Sequence, residues 1–133
     1  MKTTLLAILL LAAAGCGTPK PQTPKSTLPN MTGTWVGAIY LTPSGTAYLT
    51  VVLSQDSSGK LTGTAESTSG CSFYVPVSGA IYANSTFSVS SPDFTTLSMP
   101  GQMTSSTEAS GYLNVDAAGC GNQASRPFAL GRQ

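Results

Sequence analysis

Between residues 33 and 130, apolar side chains recur at every second position in short runs, and each run ends at a cluster of turn residues. A period of two belongs to the strand, whose successive side chains face opposite sides, and does not fit the 3.6-residue period of a helix. Trp35, Gly37, Ile39 and Leu41 share one face before Thr42-Pro43-Ser44-Gly45. Leu49, Val51 and Leu53 share another before Asp56-Ser57-Ser58-Gly59. Leu61, Gly63 and Ala65 alternate with Lys60, Thr62, Thr64 and Glu66. Phe73, Val75, Val77, Gly79 and Ile81 form the longest set, ahead of Asn84-Ser85, and Phe87 with Val89 precede Ser91-Pro92-Asp93. Leu97 and Met99 lead to a turn at Pro100-Gly101, then come Ala109, Gly111, Leu113 and Val115, and finally Phe128 with Leu130. No window carries a helical stripe of useful length.

Eight short strands joined by tight turns predict an all-β fold, a small antiparallel eight-stranded meander barrel, with a β-sandwich as the alternative. Closure suits this chain because it removes exposed edges from a surface with little charge to guard them. Charged residues are only 8% of the sequence, against about 25% in typical soluble domains. The 18 Ser and 18 Thr must therefore do much of the solvation. A weak internal repeat sets Leu61-Thr62-Gly63-Thr64-Ala65, Gly70-Cys71 and Pro76-Val77 beside Ser110-Gly111-Tyr112-Leu113, Gly119-Cys120 and Pro127-Phe128. Two similar hairpins and an internal duplication both account for it.

The N-terminal segment has a different character. Met1-Lys2 is a short positive start, residues 5–14 are unbroken apolar, and Ala13-Ala14-Gly15 stand directly before Cys16. These are the parts of a secretory signal peptide, and the run is shorter than the roughly 20 residues of a membrane span. The segment resembles a bacterial lipoprotein signal, whose pattern ends in an apolar residue, two small residues and a cysteine. Ala13 is a tolerated rather than a favoured residue at the first of those positions. The resemblance implies that residues 1–15 are removed and that Cys16 carries lipid, palmitate included, as the new N-terminus. It places the protein on a membrane, facing the periplasm or the cell exterior. Gly17, in place of an Asp that would retain such a protein at the inner membrane, implies outer-membrane delivery in a two-membrane cell. An ordinary signal peptide cut elsewhere, with Cys16 a spare thiol, is the alternative.

Residues 16–30 then read as the lipidated cysteine and a Pro-rich linker. Prolines 19, 21, 24 and 29 favour an extended, semi-stiff spacer. At ~3.1 Å per residue, the stretch after Cys16 reaches up to ~43 Å. No packed structure is expected before about residue 31, which leaves residues 31–133 as the barrel domain. With Cys16 assigned to lipid, Cys71 and Cys120 remain as an even pair in an oxidising compartment, and a disulfide between them is expected. Two thiols in a chain without His do not complete a zinc site unaided, and a redox pair would sit as CxxC.

The single Trp lies in Gly33-Thr34-Trp35-Val36-Gly37. This resembles the Gly-x-Trp opening of calycins, the lipocalin and avidin-like barrels. The resemblance implies that Trp35 plugs one barrel end and that an Arg near the final strand stacks on it. Arg132 stands in that place and Arg126 is the second choice. Other lipocalin signatures are missing, and a core Trp after a tight Gly turn is the alternative reading.

Catalytic patterns fail in turn. The chain has no His, which removes the commonest general base and transition-metal ligand. Ser57-Ser58-Gly59-Lys60 matches S-x-x-K but reads as a hairpin turn, whereas the β-lactamase motif needs a helix. Neither G-x-S-x-G nor a P-loop occurs, and Asn30-Met31-Thr32 and Asn84-Ser85-Thr86 are sequons that a bacterial lipoprotein ordinarily leaves unmodified. From residue 31 on, Lys60, Arg126 and Arg132 face Asp56, Glu66, Asp93, Glu108 and Asp116, a net charge of −2. Such a domain cannot neutralise a run of phosphates, which argues against nucleic-acid binding. No catalytic residue, metal or cofactor is expected.

The expectation is a non-catalytic envelope lipoprotein, a binding or structural module that meets the membrane through Cys16 and has an envelope component, such as a protein, as partner. An envelope hydrolase inhibitor stays open by fold analogy, as does a lipocalin-like carrier of a small apolar ligand. The bulky inward set Trp35, Ile39, Leu53, Phe73, Ile81 and Phe87 favours a filled barrel and recognition from outside. Tyr40, Tyr48, Tyr74, Tyr82 and Tyr112 fall on the opposite face, either as anchors or as half-buried strand packing.

Overall fold

The computed structural model describes residues 15, 17–22, 27–43, 45–92 and 96–133. These residues form eight strands and no helix: β1 (Gly33–Leu41), β2 (Gly45–Gln55), β3 (Lys60–Thr68), β4 (Phe73–Ile81), β5 (Thr86–Ser90), β6 (Thr96–Met103), β7 (Glu108–Ala117) and β8 (Gly121–Arg132). Each pairs antiparallel with the next, and β8 returns to β1, so the sheet closes into a barrel in sequence order. The closing seam matches Trp35 with Arg132, Val36 with Gly131 and Ile39 with Phe128. The sandwich alternative is thereby set aside.

Strict alternation selects which side chains enter the lumen. Buried residues alternate with exposed or half-buried ones along β2, β3 and β4, except at Gly63-Thr64 and Gly79-Ala80, where both residues are half-buried. The register then stacks the buried members across strands, as where Val51 lies between Trp35 and Ala65. Trp35, Phe73, Phe87 and Phe128 all point inward, and the Phe87 and Phe128 rings tilt against each other with centroids 6.5 Å apart. An eight-stranded barrel is just wide enough for its own side chains to fill it, and here large aliphatic and aromatic residues do so. Gly101 makes room for one of them: a Cβ there would stand 2.6 Å from the Phe87 ring.

Three boundaries differ from the sequence expectation. β6 runs straight through Pro100-Gly101, where a turn was expected. Pro100 faces outward, and the β6–β7 register recorded on either side of it, Ser98 with Asn114 and Gly101 with Gly111, does not shift. A proline that donates no ladder bond can be carried in a strand at such a point. β8 begins at Gly121, well before Phe128 and Leu130. A register shift on β8 opposite Leu113 and Val115, with Ser125 at φ 52°, changes the phase of the alternation there. Packing also starts earlier than residue 31: Leu28 is half-buried, and its Cδ1 lies 2.8 Å from where a Cβ on Gly59 would be.

The connections alternate between the two ends of the barrel. The first end gathers the incoming residues 28–32, the β2–β3, β4–β5 and β6–β7 turns, and Arg132. The second gathers the β1–β2, β3–β4, β5–β6 and β7–β8 connections. The two hairpins of the weak repeat are β3–β4 and β7–β8, four strands apart and therefore across the barrel from one another.

Candidate functional site

At the first end Trp35 is fully buried, and the Arg132 guanidinium carbon lies 4.6 Å from the centre of its ring. The seam register places Arg132 directly across from Trp35, with Phe128 and Leu130 marking the same inward face of β8. A cation over an indole face contributes roughly 0.5–2 kcal/mol, more as water is excluded. The incoming chain completes the plug. The Trp35 indole Nε1–H donates to the Met31 carbonyl at 2.9 Å, and the Met31 side chain is buried. Gln55 clips this segment: its Oε1 accepts from the Met31 N–H at 2.7 Å, its Nε2 donates to the Pro29 carbonyl at 3.0 Å, and its N–H meets Thr32 Oγ1 at 3.0 Å. Gly33, at φ +137°, lets the chain turn from this clip into β1 beneath the Arg132 side chain. Arg132 Nη2 donates to the Asn30 carbonyl, and its Nε is buried with no acceptor among the described residues. A cleft of about 330 Å³ opens beside it, between residues 29–30 and the β6–β7 turn.

The second end is closed covalently. Cys71 in the β3–β4 connection and Cys120 in the β7–β8 connection form a disulfide, with Cα atoms 4.7 Å apart and both side chains buried. The bridge therefore joins two hairpins from opposite walls over the barrel mouth. Beside it Gln123, which is 3% exposed, faces inward and holds the β1–β2 connection. Its Oε1 accepts from the Thr42 N–H at 3.2 Å, and its Nε2 donates to the carbonyls of Thr42 and of Cys120, the latter at 2.9 Å. Arg126 Nε donates to Gln123 Oε1 at 3.1 Å, and its Nη2 to Thr42 Oγ1. Arg126, the second choice for the Trp35 stack, thus sits at the opposite end of the barrel. The alternation missed this latch because the bulge at Ser125 shifts the phase, and only the bulge brings both Gln123 and Arg126 inward. Ser67 also points into this end, and its buried hydroxyl has no partner among the described residues.

The outer face carries the tyrosines. Tyr40, Tyr48, Tyr74, Tyr82 and Tyr112 are 55% to 68% exposed, so they are not half-buried strand packing. On the outer face Tyr40 and Tyr48 are diagonal neighbours on paired strands, since Tyr40 faces Thr46 and Tyr48 faces Ala38. Tyr74 lies two strands from Tyr48, across Glu66 and Thr68 of β3. These three stand toward the disulfide end, away from the incoming linker.

The described carboxylates do not converge. Asp56 caps the β2–β3 turn, where its Oδ1 accepts from the Ser58 hydroxyl at 2.6 Å, the Ser58 N–H at 2.8 Å and the Lys60 N–H at 3.0 Å. The Ser58 hydroxyl, then the Lys60 backbone N–H, hold its carboxyl below the usual aspartate range. The S-x-x-K match is therefore a turn, whose Ser58 is engaged in capping. No three His, Cys, Asp or Glu among the described residues gather as a metal site. Cys16 and the segment before Gly15 lie outside the described residues, as does Asp93. No protein-family model matches the chain, and no curated protein matches it either.

Proposed function

We propose that this protein is a non-catalytic binding module of a bacterial envelope, held on a membrane through lipid on Cys16 and presenting the outer face of a closed barrel. The observation that carries the reading is the segregation of aromatic residues. Trp35, Phe73, Phe87 and Phe128 fill the lumen, while all five tyrosines stand outside and exposed. A tyrosine offers a large rigid contact surface with a polar tip, and such residues anchor many interfaces. A closed barrel has no free strand edge to add a partner strand to, so recognition must come from side chains. The lumen is filled and both mouths are covered, which favours this reading over carriage of an apolar ligand. The Arg132–Trp35 stack behind a Gly-x-Trp opening supports a calycin-like barrel as the scaffold.

The geometry also fits a tether. The Pro-rich segment enters at the Trp35 end, so a lipidated Cys16 would turn the disulfide end and Tyr40, Tyr48 and Tyr74 away from the bilayer. In a two-membrane cell, Gly17 supports the outer membrane as the destination.

The test has two arms on the full chain in a bacterial host. Labelled palmitate should enter the wild type and not Cys16→Ser, which should also leave the membrane fraction. Label in Cys16→Ser would overturn the anchor. In the second arm, Tyr40→Ser/Tyr48→Ser/Tyr74→Ser should lose a cross-linked species that the wild type forms, with its melting temperature unchanged. Identical cross-linking in both would overturn the tyrosine face.

A further inference from the structure

We infer that the cleft at the Trp35 end is a binding site for one phosphate group, with Arg132 as its cationic anchor. Three observations converge on it. First, the Arg132 charge is uncompensated. Among the described residues no carboxylate pairs with it, and none lines the cleft. Glu108 on the neighbouring strand is exposed, and Ala109 takes the inward position. Second, its donors are only partly used. Nη2 gives one hydrogen to the Asn30 carbonyl, and Nε is buried without an acceptor among the described residues. Nη1 makes no hydrogen bond to the described residues, so it and the second hydrogen of Nη2 form an open fork. Such a fork matches two oxygens of a carboxylate or phosphate. Its plane is held by the Trp35 ring beneath it, so binding would immobilise little that is not already fixed.

Third, the other walls of the cleft carry hydroxyls. Ser85 of the β4–β5 turn and Thr104, Ser105 and Ser106 of the β6–β7 turn line it, together with Asn30. A carboxylate places both its oxygens on the guanidinium fork, in one plane with it. A tetrahedral oxyanion keeps further oxygens that need donors from other directions, and the hydroxyls supply them. The volume, about 330 Å³, exceeds a bare phosphate and leaves space for the group that carries it. That carrier is either a small phosphorylated solute or the head of a lipid near the tether. One phosphate also agrees with the scarcity of cations, which excludes only runs of them. This site is separate from the tyrosine face and stands or falls apart from it.

The structure supplies its own reporter, because the single tryptophan lies under the anchoring guanidinium. Full-length protein in phosphate-free detergent solution would be titrated at fixed ionic strength with inorganic phosphate, glycerophosphoglycerol, acetate and chloride, reading Trp35 emission. A saturable shift with either phosphate compound, absent with acetate and chloride, is expected. Tighter response to the diester assigns a lipid head, and tighter response to inorganic phosphate assigns a free solute. Ser105→Ala/Ser106→Ala should raise the half-saturation concentration about tenfold, a loss of about 1.4 kcal/mol, with the melting temperature as the check that the turn, where Ser105 Oγ also accepts from the Thr107 N–H, stays intact. Arg132→Lys should weaken binding further, because an ammonium presents no fork. Equal responses to all four salts, or an unaltered titration in the double-serine variant, would overturn the site.

Discussion

The two ends of the barrel solve one problem by different chemistry. The Trp35 end is stoppered by an indole, a guanidinium and a short stretch of incoming chain, all held by non-covalent contacts. The Cys71–Cys120 end is bridged by a covalent bond between opposite walls, with Gln123 and Arg126 latching a third connection beneath it. The contrast teaches what each closure depends on. A stacked plug needs residues near the two termini of the fold to meet, so it reports whether the barrel has closed. A disulfide constrains the unfolded chain as well, and so adds stability before any strand has paired.

Breaking the covalent end should have the largest effect. Cys71→Ser/Cys120→Ser opens a loop of 49 residues in sequence separation, a loss of about 4 kcal/mol in the chain-entropy account. Thermal melting of oxidised and reduced protein should show it as a large fall in Tm, while Trp35 emission stays blue-shifted until the transition. Next comes Gln123→Ala, which strips the Thr42 N–H and the Thr42 and Cys120 carbonyls of their partner at a buried position. Denaturant unfolding should register a loss of about 2 kcal/mol. Arg132→Ala, at the other end, should lose about 1 kcal/mol through stacking and stem contacts, and iodide should then quench Trp35 more readily. An Arg132 effect greater than that of Gln123 would reverse the ranking of the two ends.

The strand pattern was almost fully legible in the sequence, because alternation answers directly to burial. Where it misled, a local device changed the phase or suppressed a bond. The bulge at Ser125 hid the first half of β8, and Pro100 imitated a turn inside β6. The Trp35 end was legible too, since Trp35 is the single Trp, Arg132 is one of two Arg, and Gly33 stands two residues before the Trp. The Gln123 latch was not. A glutamine among Ser, Asn and Gly carries no periodic signal, and its function arises only when β8 meets the β1–β2 connection across 81 residues. The cleft beside Arg132 was hidden for the same reason, being assembled from turns remote in sequence.

The seam between β1 and β8 has a kinetic meaning. Seven of the eight strand pairings form between sequence neighbours, and each can zip as soon as its hairpin exists. The eighth joins Trp35 to Arg132, almost the full length of the fold apart, so loop closure opposes it most and it is expected to come last. Until then the sheet is an open ribbon with β1 and β8 as bare edges, the form in which such a chain is most exposed to mispairing with its neighbours. Residues that strengthen the seam therefore hold the closed barrel against reopening into that ribbon as well as deepening the native state, and Arg132 stands at its outermost rung.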